Sequence, residues 1–240
     1  VKTPVVGYTF AEDGTGHAIS VESDGGNYKA VCLFTFEYMK ADDGIPERND
    51  AGAYLITTAD ELLWFADEVN GGNNEITAVL QNDINLGGIT WTAIGTKEEK
   101  FAGTFDGQGY TVNNLSGGQG LFGYVDGASD DAKAAIRNVI VDGTITAETN
   151  GVGAIAGTVG HNATIESCGN LAELTAAASY VGGIVGYNEG GEIKNCYNWG
   201  TVLGTSASSE YLGGIAGYAN KVVNCYNAGF VNGTGAHGAL

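Results

Sequence analysis

One phrase is written twice near the end of the chain. YVGGIVGY (Tyr180 to Tyr187) precedes IKNCYNWGTV (Ile193 to Val202), and YLGGIAGY (Tyr211 to Tyr218) precedes VVNCYNAGFV (Val222 to Val231). A unit repeated at a nearly fixed period constrains the fold more than composition does, because one such unit cannot bury its own apolar face. Cys225 follows Cys196 by 29 residues (225 − 196), Cys196 follows Cys168 by 28 (196 − 168), and Cys168 follows Val139 by 29 (168 − 139). Leu115, a further 24 back (139 − 115), extends the series in weaker form. Asn114, Asn138, Ser167, Asn195 and Asn224 stand just before these anchors, and Ile145, Leu174, Val202 and Val231 stand six after the last four. Asn170, Asn198 and Asn227 lie two after the cysteines. A glycine half recurs at Gly123, Gly157, Gly186 and Gly217, with looser steps.

The units are short β-rich apolar runs punctuated by Gly and Asn, with no helical period. Stacked in register, each covers the next and a continuous core results. Like residues then lie above one another at the strand spacing of roughly 4.8 Å, as ladders. The Cys/Val/Leu ladder is expected to face inward, and the Asn ladders to hydrogen-bond along the stack at the corners. The expected fold class is all-β, a right-handed parallel β-helix, since right-handed crossovers are the rule.

GGIVGYN with IKNCYNWGTV, and GGIAGY with VVNCYNAGFV, resemble the GLUG-motif repeats of bacterial cell-surface proteins. Such repeats also occur beside immunoglobulin-A-specific metalloendopeptidases. Upstream, ITTADELLWFADEVN, LQNDINL, W-x-x-IGT and FAGTFDGQGYTVNNL are similar to the opening segment of such β-helices. The resemblance covers roughly Tyr54 to Val231. It implies the fold and a secreted or cell-surface location, and it names no particular activity.

Taken in order, residues 1–50 do not match the repeat and read as a small β-rich lead-in, with Cys32 expected inside its most apolar run. Residues 51–240 are expected to form the β-helix. Residues 57–70 carry the clearest helix signal: Thr57 or Thr58 as N-cap, Asp60 and Glu61 in the first turn, an apolar stripe, and a stop at Asn70-Gly71-Gly72. Such a helix covers the open edge of the first coil. Trp64 is expected to pack there as well.

Forty glycines with only two prolines exceed what an ordinary core uses, while 43% apolar content is too high for disorder. The net charge of −18 excludes a phosphate-binding surface, hence nucleic acid, and disfavours an anionic membrane. No apolar run approaches the ~20 residues that span a bilayer. The chain is expected to have lost a leader and to form part of a larger surface protein, in which further sequence or a partner covers its last coil.

Catalytic patterns are sparse. The histidines, His17, His161 and His237, form no ligand-spaced pair, and HExxH, GxSxG, a P-loop and CxxC are missing from the sequence. Cys168, Cys196 and Cys225 are expected as buried reduced thiols. Asp106-Gly107 reads as a tight turn whose Asp serves the turn. Asp126, Asp130 and Asp131 are the candidate metal ligands, for Ca²⁺; no other cofactor is expected. Tyr180 and Tyr211 share one register, Tyr124, Tyr187 and Tyr218 another, Tyr197 and Tyr226 a third. Six of these, Tyr180, Tyr187, Tyr197, Tyr211, Tyr218 and Tyr226, are candidate ligand contacts, since rows of Tyr stack on sugars or anchor proteins, and equally on one another. Arg137, Glu166 and Lys194 share a position two before the anchors, a mixed row suited to cross-strand pairing. Two functions follow. One is a non-catalytic surface module, structural or adhesive, for a host glycan or protein. The alternative is a carbohydrate-active β-helix enzyme, a polysaccharide lyase or glycosidase, which requires an acid pair or metal-carboxylate cluster on one face.

Overall fold

The computed structural model describes residues 6–10, 15–24, 27–37, 44–205 and 210–233, the first three ranges as backbone only. The chain divides into two compact units, Val1–Asp43 and Gly44–Leu240. The first holds Val6–Phe10, Thr15–Asp24 and Asn27–Glu37 in one antiparallel sheet with Thr15–Asp24 central. The Cys32 side chain lies outside the described ones. Gly44–Asp50 belongs to the second unit rather than the lead-in, tied there by Leu55 N–H donating to Glu47 C=O at 2.8 Å and by Arg48 against the Tyr54 hydroxyl.

The second unit is a parallel β-solenoid. Its first sheet runs Tyr54–Ile56, Ala78–Leu80, Thr104–Asp106, Ala134–Arg137, Ala163–Glu166, Glu192–Lys194 and Val222–Val223, every pairing parallel. A second sheet aligns Ile84, Val112, Val141, Asn170, Asn198 and Asn227. It branches at Ile140–Ala147 into the row Ile145, Leu174, Val202 and Val231. The glycine half makes two more columns, Val152/Val181/Leu212 and Phe122/Ala156/Val185/Ala216. Three regular coils result, 134–159, 163–188 and 192–219, with a partial fourth at 222–233.

The core is the axial stack. Ile136, Ile165 and Ile193 align and are fully buried, as are Val139, Cys168 and Cys196 three residues on. In the last coil the same positions open: Val222 is 42% exposed and Cys225 half-buried, because no further coil covers them among the described residues. The residue before each anchor makes the corner. Asn138, Ser167, Asn195 and Asn224 all adopt left-handed backbone, φ 50° to 57°. Asn tolerates that conformation because its short amide bonds locally.

Leu115 is not the anchor equivalent of Val139. It pairs with Gly143 across a bulge, while Val112 pairs with Val141, a step of 29 (141 − 112). The turn at Asp106–Tyr110 spends two extra residues before the strand resumes, which shifts the apparent spacing.

The helix α1 spans Ala59–Asn70, starting two residues later than 57. Thr58 caps it in a reciprocal box: Glu61 N–H donates to the Thr58 hydroxyl at 3.2 Å and Thr58 N–H to the Glu61 carboxylate at 3.0 Å. Leu62, Phe65, Ala66 and Val69 are buried. Phe65 meets Phe101 and Phe105, each with ring centroids 6.0 Å away, and both of these meet Phe122. The helix thus plugs the first coils. Trp64 packs at the rim, 4.8 Å from the Tyr54 ring.

Candidate functional site

Three kinds of polar chemistry survive on the solenoid: an ion row, amide ladders and aromatic rows. The ion row follows the first sheet. Asp106, Arg137, Glu166 and Lys194 lie in one register. Arg137 reaches the Asp106 carboxylate at 2.8 Å, and Lys194 reaches Glu166 at 3.3 Å and Glu192 at 3.6 Å. The signs alternate along the axis, so cross-strand pairing uses the charges, as the mixed row predicts. Asp106 also closes its own turn, its carboxylate accepting Gln108 N–H and the Asn138 amide, both at 3.0 Å. Burial works to raise its carboxyl. The bonds from Asn138, Gln108 and Arg137, with the Arg137 charge, outweigh burial and hold it below the ordinary carboxylate value. Sequence reading found three members of this row and missed the fourth, because the two-residue turn expansion hides the register of Asp106.

Amide side chains bond from coil to coil at the turns, as Asn114 does to Asn85 at 2.8 Å. Asn170 donates to Asn198 at 2.7 Å and Asn198 to Asn227 at 2.7 Å. Each also folds onto the backbone two residues on; Ala172 N–H donates to Asn170 at 2.8 Å and Gly200 N–H to Asn198 at 3.1 Å. At the corner, Asn224 donates to Asn195 at 2.7 Å. No buried side-chain nitrogen or oxygen lacks a partner among the described residues.

Cys168, Cys196 and Cys225 are free and aligned. The Cys196 thiol is held protonated by its contact with Cys168 and by burial, and Cys225 by Cys196 and burial. Their hydrogens point to carbonyls, Cys196 to Lys194 C=O at 3.2 Å, as small interior hydrophobes do.

Asp126, Asp130 and Asp131 do not come together. Asp126 pairs with Lys100 at 3.1 Å and accepts Asn162 N–H at 3.0 Å, which turns it inward, whereas Asp130 sits in solvent 3.8 Å from Lys133. No group of three or more His, Cys, Asp or Glu is placed to hold a metal among the described residues. Neighbouring acids in a surface turn follow their separate partners, which corrects the expectation of a Ca²⁺ site there.

The six candidate tyrosines form two faces. On one, Tyr180 stacks on Tyr211 at 4.8 Å and 6°, Tyr187 on Tyr218 at 5.2 Å and 22°, with edge contacts between the pairs. Tyr180 and Tyr211 have φ 62° and 60°, at the position where the preceding coil has Gly151 at φ 77°. A bulky residue there costs about 1–2 kcal/mol, offset by the interlocked rings. On the other face, Tyr197 stacks on Tyr226 at 5.9 Å and 18°, and Trp199 leans on Tyr197 at 5.0 Å and 51°. Trp199 is 57% exposed and Tyr226 53%. Trp199 is absent from the sequence-derived candidates. Strand alternation gives the signal: Asn198 faces in, so Tyr197 and Trp199 face out.

With this geometry in place, residues 177–203 match the family model of the GLUG motif. The chain carries a GLUG motif. That GLUG segment runs from the later half of the second coil into the first half of the third, and contains Tyr180, Tyr187, Tyr197 and Trp199. A crystal structure described as "a putative immunoglobulin A1 protease from Bacteroides ovatus" is similar in fold, with TM-score 0.50 and 17% identity, over 80% of this chain and 85% of that one. No curated protein matched the sequence. No helix among the described residues is long and apolar enough to cross a membrane.

Proposed function

We propose that this GLUG solenoid is a non-catalytic, secreted or cell-surface module that presents an adhesive aromatic face on a rigid stack. The observation that carries this reading is the division of labour between side chains. Acids and bases that a β-helix enzyme needs as a free set are paired along the axis, Asp106 with Arg137 and Glu166 with Lys194. The large rings Trp199, Tyr211, Tyr218, Tyr226 and Phe230 instead stand out to solvent. Exposed aromatic rings on a regular scaffold suit recognition of a partner with little ordering cost. The charge of −18 suits a solvated surface protein and favours neutral or basic partners.

The test is a paired assay. The purified chain is offered immobilised host glycoproteins and matrix proteins, and separately incubated with immunoglobulin A and plant and host polysaccharides. Retention on at least one glycoprotein or matrix protein without cleaved immunoglobulin or new sugar ends is expected. Turnover of either substrate class overturns the reading, and so does failure to be retained on any surface.

A further inference from the structure

A cleft of about 290 Å³ lies beside the second aromatic face, lined by Gln108, Gly109, Asn138, Ile140, Ser167 and Tyr197. We propose that it binds an uncharged oligosaccharide, an inference that rests on the adhesive reading above and names its ligand class. The cleft crosses four successive coils, and none of its lining side chains is ionised.

Its polar wall stands on the coil corners. Gln108, Asn138 and Ser167 all have left-handed backbone, φ 53° to 54°, so each projects from a corner. The Asp106 carboxylate pins two of them, accepting Gln108 N–H and the Asn138 amide at 3.0 Å. The Gln108 side-chain amide, the Asn138 side-chain carbonyl and the Ser167 hydroxyl have no hydrogen-bond partner among the described residues. They offer both donors and acceptors, as a ring of hydroxyls requires.

Its other wall is aromatic. The Tyr197 ring folds back over Gly169, where any Cβ would collide with it, so glycine at this position admits the ring to the cleft. Trp199 leans on Tyr197 beyond it. A hexose has the matching duality: hydroxyls around its rim and a C–H face that packs on an aromatic ring. A hexose unit is also about as long as the coil rise of roughly 4.8 Å, so a glycan lying along the axis meets a new coil with each sugar. An extended peptide would instead seek strand-edge N–H and C=O groups, and here the walls are side chains. Acidic glycans are repelled by a chain of charge −18.

The experiment is calorimetric titration of the full chain with hexamers of N-acetylglucosamine, mannose and xylose, and with heparin as the acidic comparison. Binding of at least one neutral hexamer and none of heparin is expected. Tyr197→Ala, at a half-buried position, and Ser167→Arg, at an exposed one, should each weaken it at least tenfold, with unchanged circular dichroism. Tyr211→Gly, on the other aromatic face, should leave it unchanged. The proposal fails if no neutral hexamer binds the parent, or if both cleft variants bind as the parent does. Retention of a glycoprotein or matrix protein by a parent that binds no hexamer overturns this cleft alone and leaves the adhesive reading standing. Loss of binding only in Tyr211→Gly overturns it too, and moves the contact to the other face.

Discussion

At the scale of single residues, polar side chains hold the stack. Asn198 makes four hydrogen bonds, to both neighbouring coils and to its own turn, in a fully buried position. Asn198→Ala takes the side-chain partner from the Gly200 carbonyl and one bond from the Asn170 amide, at about 1–3 kcal/mol for each unsatisfied buried group. The urea midpoint should fall sharply, while Asn195→Gly, exposed and left-handed, should barely move it. Asp106 adds a pH dependence. Its folded carboxyl titrates below the unfolded value of ~3.9, so its contribution is present above that value and lost as pH falls through the folded one. Asp106→Asn should cost about 1.5–3 kcal/mol at pH 7, the worth of bonds to a charged group. The gap between variant and parent should close in urea titrations below about pH 4. A gap that persists in acid would mean the bonds serve a neutral carboxyl.

At the scale of elements, local signals and stacked signals differ in legibility. The cap of α1 is readable because Thr58, Asp60 and Glu61 are neighbours in sequence, and a capping box needs nothing else. The inward stack Val139, Cys168, Cys196 and Cys225 is readable because steps of 28 and 29 leave one register. The Leu115 position and the Asp106–Arg137 pair are not, because a turn that lengthens one corner shifts every later alignment without changing the composition. The separation of Asp126 from Asp130 and Asp131 is set by Lys100, 26 residues away, which no local window contains. The helix supplies its own prediction. Thr58→Ala should cost about 1 kcal/mol through the lost cap. Phe65→Ala should cost about 3–5 kcal/mol, because it leaves a cavity between Phe101 and Phe105. Thermal denaturation of the two variants, read by far-ultraviolet dichroism, ranks them. Equal losses would show that α1 does not plug the core.

At the scale of the whole solenoid, stability is a sum over coils and the contacts between neighbours. The two ends of the stack are unlike. At the first coils, α1 buries Leu62, Phe65 and Val69 completely. At the other, Val222, Val223, Tyr226 and Phe230 are 42% to 61% exposed, although Ile193 in the coil above Val222 is fully buried. The strands of 222–233 are paired on one side only among the described residues. Opening this coil alone exposes little new apolar area, whereas opening 163–188 requires its neighbours to part as well. Local opening free energies therefore rise from the last coil inward. Hydrogen exchange followed by mass spectrometry should show peptides from 222–233 exchanging first, then 192–204, with 134–147 and 163–176 slowest. Cys225 should accept a thiol reagent well before Cys196, and both before Cys168, since labelling follows the same openings. Uniform protection along the stack in dilute solution would mean that the last coil is covered by another copy of the chain, and a concentration series of the same exchange would show it.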